Sequence, residues 1–282
     1  MILLKKAADL HKYLDIQRKT GMETGFVPTM GALHQGHISL IEQARLHNPI
    51  VVSSIFVNPA QFNDPADYKK YPSAIDKDIA LLENAGCDVL FYPPVEEVYP
   101  DPNEKTKYDL GYLETIMEGK YRPGHFQGVC KVVHRLLQLV DPDNLYLGQK
   151  DYQQCLVIKR LLELTGMKEV IKLHISPTLR EKDGLAMSSR NARLNDEQRK
   201  KASGIFQTLQ LVKKEIMPGN LETLKEKAMD QLRRMDFKPD YVEIADAGTL
   251  QPVHDWDRSQ KLVALAAAFL GDVRLIDNLL IN

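Results

Sequence analysis

The sequence predicts an α/β protein: a parallel-sheet domain over residues 1–176, followed by a smaller α+β domain over 177–282. Three observations carry this. Val- and Ile-rich runs alternate with amphipathic ones through about the first 175 residues, the mark of βαβ units with helices on both faces of a sheet. The run Ile50–Val57 is nearly continuously apolar, as a strand covered on both faces should be. Near residue 176 the pattern changes to a polar stretch without period, then to charged helices and alternating strands.

The elements follow in order. Gly25-Phe26-Val27-Pro28 ends a short strand, and Ile38 to Leu46 reads as a helix with Ile38, Leu40, Ile41 and Ala44 to one side. After the strand at 50–57, Ile75 to Ala85 reads as a helix closed by Gly86. Asp88 to Phe91 is a strand, Val129 to Val140 a helix, Leu145 to Leu147 a short strand, Gln153 to Leu164 a helix and Val170 to Ile175 a strand. Ser176 to Asn191 is polar and aperiodic. Asn195 and Gln198 form the two ends of a capping box that opens a charged helix. A second charged helix spans about Leu221 to Met235, and Tyr241 to Ile244 alternates like a half-buried strand. Leu262–Phe269 and Val273–Ile276, separated by Gly271-Asp272, read as two strands and a tight turn.

Composition excludes several classes. Of 282 residues, 44% are apolar and 27% charged, so the chain can build a core and is not disordered. The net charge of −1 leaves no basic excess for generic binding to nucleic acid or anionic lipid. No apolar run approaches the roughly 18 residues of a spanning helix. At the N-terminus the charges of Lys5 and Lys6 follow the apolar residues, the reverse of a secretion signal. Cys87, Cys130 and Cys155 lie far apart with no CxxC, which fits a reducing cytoplasm and argues against a disulfide framework or a cysteine zinc site.

The most informative segment is Pro28-Thr29-Met30-Gly31-Ala32-Leu33-His34-Gln35-Gly36-His37-Ile38, at the junction of the first strand with the first helix. In open α/β sheets, ligands bind at the carboxyl ends of strands. Gly31 and Gly36 have P-loop spacing, but His37-Ile38 stands where Lys and then Ser or Thr are needed. There is no GxGxxG for a dinucleotide. What remains is His34 and His37 at a helix N-terminus, with Gly36 allowing close approach and the helix dipole favouring an anion. Capped surface histidines, or half of a metal site, are the competing readings; no nearby Glu or Cys cluster offers the further ligands. Phosphate binding is favoured over both.

Four other segments are polar enough to serve a site. In Gly148-Gln149-Lys150-Asp151-Tyr152-Gln153-Gln154, Lys150 suits phosphate and Asp151 suits ribose hydroxyls or a helix cap. In Asp183–Asn191, two hydroxyls beside Arg190 make either a mobile phosphate clamp or a polar linker. In Phe56–Asn63, Asn58 and Gln61 could fix a small polar substrate, or the segment is a turn about Pro59. Tyr121–Gly128 is a basic glycine segment that could hold an anion or be a long surface loop.

In order, the segments PTMGALHQGH, FVNPAQF, RPGHFQGV, GQKDYQQ and DGLAMSSRN resemble those of the pantothenate synthetase (pantoate–β-alanine ligase) family, over essentially the whole chain. HxGH alone marks only the wider nucleotidylyltransferase superfamily. The resemblance implies a Rossmann-like parallel-sheet N-terminal domain with a smaller α+β C-terminal lid domain. It implies ATP-dependent condensation of pantoate with β-alanine to pantothenate, AMP and pyrophosphate through pantoyl adenylate. It implies that Met30, Gly31, Ala32, Leu33, His34, Gln35, Gly36 and His37 line the ATP phosphates. Gly148, Gln149, Lys150 and Asp151 serve ribose and phosphate, and Leu179 meets adenine through its backbone. Met187, Ser188, Ser189 and Arg190 close over the phosphates. Gln61 and Gln154 hold pantoate, with Asn58 and Arg122 also at the substrate side. His37, His34, Lys150 and Arg190 are the expected catalytic set. Mg²⁺ is expected to ride on the ATP phosphates rather than on protein side chains. A homodimer through the N-terminal domain and a cytoplasmic location are implied, with neither nucleic acid nor membrane as partner. The family more often has Val at Leu179 and Thr where Lys131 stands, differences that concern packing and not chemistry.

The chemistry is consistent with these residues. A carboxylate attacking the α-phosphate is already ionised at neutral pH, so the first step needs alignment and charge neutralisation rather than a protein nucleophile. His37 is then chiefly a hydrogen-bond donor. A reactive mixed anhydride needs shielding from water, which gives the 177–282 segment a purpose. The competing readings are another HxGH-type nucleotidylyltransferase and a non-catalytic ATP-binding module. The net charge and the absence of an anticodon-binding appendage speak against a tRNA synthetase.

Overall fold

The computed structural model describes residues 1–61, 74–101 and 106–282. The chain forms two compact units, Met1–Gly148 with Gln154–Pro177, and Gln149–Gln153 with Thr178–Asn282.

The first unit is built on six strands: β1 (Ile2–Leu4), β2 (Thr24–Thr29), β3 (Ile50–Ile55), β4 (Val89–Phe91), β5 (Asn144–Gly148) and β6 (Lys172–Ser176). Their order is β1-β4-β3-β2-β5-β6, and every pairing is parallel. From β2 the chain steps outward to β3 and β4 on one side and to β5 and β6 on the other. The order therefore reverses between β2 and β5, and the crevice beyond the carboxyl ends of those two strands is the topological switch point. Residues Ile50–Ile55 are buried without exception, as the apolar run predicts.

Among the described residues, the helices of this unit are α1 (Ala7–Lys19), α2 (Gln35–His47), α3 (Ile75–Asn84), α4 (Val95–Val98), α5 (Met117–Tyr121), α6 (His125–Val140) and α7 (Tyr152–Leu164). Ile41 and Ala44 of α2 and Leu82 of α3 join Val27, Val51 and Leu90 of the strands in one buried cluster. Each large side chain in it is stabilised by burial by roughly 1.5–3 kcal/mol.

Several short or weakly periodic elements escape sequence reading, β1 and α1 among them. β1 is three residues at the sheet edge, too short to show a period. α1 buries only Leu10 and Leu14, one i,i+4 pair in thirteen residues. The Tyr121–Gly128 segment is not a long surface loop. Tyr121 closes α5, Gly124 takes φ +79 at the N-cap, and His125–Gly128 is the first turn of α6. The glycine and proline mark a helix start four residues earlier than the apolar period does.

The second unit carries a three-stranded antiparallel sheet of order β11-β10-β8, from β8 (Lys238–Asp246), β10 (Leu262–Leu270) and β11 (Val273–Leu280). A smaller pair joins β7 (Gly219–Asn220) to β9 (Asp255–Trp256). The expected hairpin is present, with Leu270 opposite Val273 and Gly271 at φ +58. Ala264, Ala266 and Ala268 of β10 lie in the same buried cluster as Ile205 and Leu209 of α9 (Gly204–Glu215) and Ala228 and Leu232 of α10 (Glu222–Arg234).

The capping box forms as expected. Asn195 Oδ1 accepts from Gln198 N at 2.9 Å, and Gln198 Oε1 accepts from Asn195 N at 3.0 Å. The helix it opens, α8 (Asp196–Lys201), ends after six residues and α9 follows, two helices where the charge pattern suggests one.

Candidate active site

Thr29 closes β2. Its Oγ1 donates to Ser54 O at 2.7 Å and accepts from Gly31 N at 3.2 Å. The chain then turns sharply, with Gly31 at φ +79 and Ala32 at φ +51. The second value is strained for a residue with a Cβ and needs outside support. Asp78 of α3 supplies it. Its carboxylate, 2% exposed, accepts from Ala32 N at 2.8 Å and Leu33 N at 2.7 Å.

The turn ends in α2, whose N-cap is His34. His34 Nδ1 accepts from Gly36 N at 3.1 Å, and His37 Nδ1 accepts from His34 N at 3.3 Å. The two ring centroids are 4.0 Å apart. A neutral imidazole that accepts at Nδ1 carries its hydrogen at Nε2. The helix start thus sets both tautomers, with the hydrogen at Nε2 of each ring, at the positive end of α2. His34 and His37 are both half-buried and Gln35 is exposed.

The turn after β3 holds the amide pair. Gln61 Nε2 contacts Met30 Sδ at 2.7 Å, joining this segment to the β2 turn. Asn58 is fully buried. Its Nδ2 donates to Gly128 O at 3.1 Å and Gln61 Oε1 at 3.2 Å, and its Oδ1 accepts from Ala60 N and from the Tyr99 hydroxyl at 2.8 Å. The Asn58 amide is thus bonded within the fold at both its nitrogen and its oxygen, and one of those bonds orients Gln61. Phe62 and Asn63, the end of the expected segment, lie outside the described residues.

Arg122 is linked to the same turn through His125. Its guanidinium donates to His125 Nε2 at 3.1 Å and lies 3.8 Å from Glu118. A ring accepting at Nε2 bears its hydrogen at Nδ1, which donates to Gln61 O at 2.8 Å. Arg122 and buried His125 thus brace the Gln61 backbone. Gly128 lies against the same turn, where a Cβ would run into the Ala60 carbonyl and come 2.9 Å from Gln61 Cα. Lys131 Nζ stands 5.1 Å from the Tyr99 ring centroid and the neighbouring Cys130 is fully buried, so the less usual lysine is accommodated. Gly148 ends β5, and Gln154, partly exposed, lies in the first turn of α7.

The remaining expected residues belong to the second unit. Gln149, Lys150 and Asp151 form a single 3-10 turn. Lys150 Nζ is 3.6 Å from Asp151 Oδ1, and the lysine side chain is 18% exposed against 47% for the aspartate, so it is the better shielded of the pair. The polar 176–191 stretch contains a tight hairpin: Arg180 bridges to Ala186, Met187 N donates to Leu179 O at 3.1 Å, and Gly184 turns at φ +93. Arg180 anchors it with a bidentate pair to Asp277 at 2.6 and 3.0 Å. Asp183 pairs with Arg199, which holds the carboxyl below the usual carboxylate range. Ser188 caps the 3-10 turn Ser189–Arg193, accepting from Arg190 N at 3.3 Å. Thus the expected residues form two groups. Met30, His34, His37, Gln61 and Gln154 belong to the first unit, and Lys150, Asp151, Leu179 and Met187–Arg190 to the second.

Sequence reading misses Asp78 and Asn278, and it gives His125 no role of its own although it singles out the RPGHFQGV segment that contains it. Asp78 carries no motif signal beyond lying in a helix, and Asn278 lies in a strand. Among the described residues, no group of three or more His, Cys, Asp or Glu side chains could hold a metal ion, and no helix is long and apolar enough to cross a membrane.

The pantoate-beta-alanine ligase family model matches residues 2–280. A pantothenate synthetase of Azobacteroides pseudotrichonymphae is 42% identical over 281 residues, 99% of each chain. The crystal structure of pantothenate synthetase from Thermus thermophilus superposes with a TM-score of 0.90 at 41% identity, covering 100% of this chain and 99% of that one. A pantoate-beta-alanine ligase from Francisella tularensis, solved in complex with beta-gamma ATP and beta-alanine, gives 0.80 at 37% identity, covering 99% and 97%.

Proposed function

We propose how this chain, which belongs to the pantoate–β-alanine ligase family, performs the ATP-dependent joining of pantoate to β-alanine. The observation that carries the reading is the pair of Nε2–H donors at the start of α2, at the switch point of a parallel sheet.

In the first step a pantoate carboxylate oxygen bonds to the α-phosphorus of ATP. The bond from that phosphorus to the bridging oxygen breaks, and pyrophosphate leaves with the electron pair. His34 and His37 donate to phosphate oxygens as charge moves onto the leaving group. Lys150 and Arg190, carried by the second unit, add positive charge, and Mg²⁺ enters with ATP as part of the substrate. Gln61 and Gln154 hold pantoate. Asp151 accepts from ribose hydroxyls. Leu179 meets the adenine edge with its backbone, whose carbonyl already accepts from Met187 N. Met187–Arg190 close over the phosphates.

In the second step the β-alanine amine attacks the acyl carbon, the bond to the phosphate oxygen breaks, AMP leaves and the amine loses a proton. Exclusion of water protects the mixed anhydride between the steps. The second unit is assigned that covering role. A homodimer through the first unit and a reducing cytoplasm complete the reading. The three thiols are free and buried, with burial pushing Cys87 and Cys130 up to about 12.

The test is exchange of labelled pyrophosphate into ATP that depends on pantoate and proceeds without β-alanine. Protein that binds ATP but shows no such exchange would falsify the adenylate route. Sedimentation equilibrium tests the dimer.

A further inference from the structure

The segment bearing Lys150 is held by a side chain 128 positions further along the chain. Asn278, on β11 and 1% exposed, donates through Nδ2 to Gln149 O at 2.9 Å and to Lys150 O at 2.8 Å. Its Oδ1 accepts from Gln149 Nε2 at 3.2 Å. Its own backbone is fixed in turn: Asn278 N donates to Asp277 Oδ1 at 2.8 Å, and Asn278 O accepts from Arg180 Nη2 at 3.1 Å. Arg180 also grips Asp277, donates to Gly184 O at 3.0 Å and lies 4.0 Å over the Phe206 ring. Lys150 and the 179–187 hairpin therefore share one frame inside the second unit.

This arrangement has a physical purpose. A single 3-10 turn such as Gln149–Asp151 has weak internal hydrogen bonding and does not set its own orientation. Two carbonyls and one amide N–H need a partner with two donors and one acceptor in a plane. Among the side chains, a carboxamide fits that demand in a buried position, while a carboxylate would set oxygen against oxygen. Charge stabilisation falls off quickly when a cation is displaced, so the backbone under Lys150 must be fixed before the lysine can act.

We infer that Asn278 is a positioning residue for Lys150, setting where the lysine ammonium meets the phosphates through its clamp on the Gln149 and Lys150 carbonyls. The inference rests on the reading that Lys150 serves ATP phosphate.

The test is a double-mutant cycle on the full chain, read as pantoate-dependent pyrophosphate exchange at saturating ATP and pantoate. K150A alone should lose at least about 100-fold, and N278A alone about tenfold or more. In the K150A background, N278A should cost less than about threefold, because a misplaced lysine no longer matters once the lysine is gone. An equal loss in both backgrounds would mean general loosening and overturn the inference, as would wild-type exchange by N278A. If N278A does not fold, N278D, of the same volume, replaces it in the cycle. If that also fails, Q149L removes the bond to Oδ1 and should cost about three- to tenfold, again non-additively with K150A. Wild-type exchange by Q149L overturns the inference too. Wild-type exchange by K150A would instead remove the role of Lys150 itself, which separates failure of that assignment from failure of the clamp.

Discussion

His37 Nδ1 accepts the backbone N–H of His34 at 3.3 Å, so the ring proposed to meet the phosphates also closes the first turn of α2. In that proposal fold and chemistry use opposite sides of one imidazole. His37→Ala is expected to lower kcat for adenylation by roughly 10²–10³, the loss typical of one transition-state donor. His37→Asn keeps an acceptor near the Nδ1 position and should restore the wild-type Tm without restoring the rate. A change of only a few-fold in kcat for both variants would mean that the residue is merely a helix cap.

Asp78 bonds to two backbone N–H groups of a turn that holds Ala32 at positive φ. Removing the carboxylate leaves both donors unpaired, at about 1–3 kcal/mol each. Asp78→Ala should therefore lower Tm by several degrees and slow pyrophosphate exchange, although Asp78 is expected to touch no substrate. Asp78→Asn, with one acceptor left, should fall between. Thermal unfolding followed by circular dichroism decides it, and an unchanged Tm in the alanine variant rules the account out.

Gly128 has no room for a methyl group against the Ala60 carbonyl. Gly128→Ala should cost about 1–3 kcal/mol of overpacking and displace Gln61. The expected kinetic signature is a raised KM for pantoate with KM for ATP nearly unchanged. Equal increases in both would show that the turn after β3 does not serve pantoate specifically.

His174 of β6 stacks on Tyr146 at 4.6 Å and donates through Nε2 to Asn144 Oδ1 at 2.8 Å. Burial, helped by Lys172 and His47, holds its imidazole below the ordinary 6.5. The folded state therefore prefers the neutral ring. The unfolded chain binds a proton first as pH falls, so this contribution to stability is complete above about 6.5 and is lost below it, down to the folded-state value. Urea unfolding at pH 7.5 and 5.5 should show a larger loss for the wild type than for His174→Gln, which keeps a donor for Asn144 but does not titrate. Equal losses would exclude His174 as the source.

The alternation of apolar runs, the two-histidine turn and the Asn195–Gln198 box were legible because each is local. Strand burial, helix caps and tight turns are set by residues within a few positions of one another. The turn of Gly31–His37 could be read as an anion site from its own glycine, histidines and helix start. Reading 121–128 as a possible loop failed at Gly124, where a positive-φ cap inside a glycine-rich stretch begins a helix instead of interrupting one. Only the tertiary structure decided which side chains position others. Asp78 meets Leu33 from 45 residues away, Asn58 meets Gly128 across 70, and Asn278 meets Lys150 across 128. It also showed that the buried Asn58 amide is bonded within the fold to Gly128, Gln61, Ala60 and Tyr99. A hydrogen bond between distant segments leaves no period and no spacing in the chain, because its geometry exists only after the strands have paired and the helices have packed.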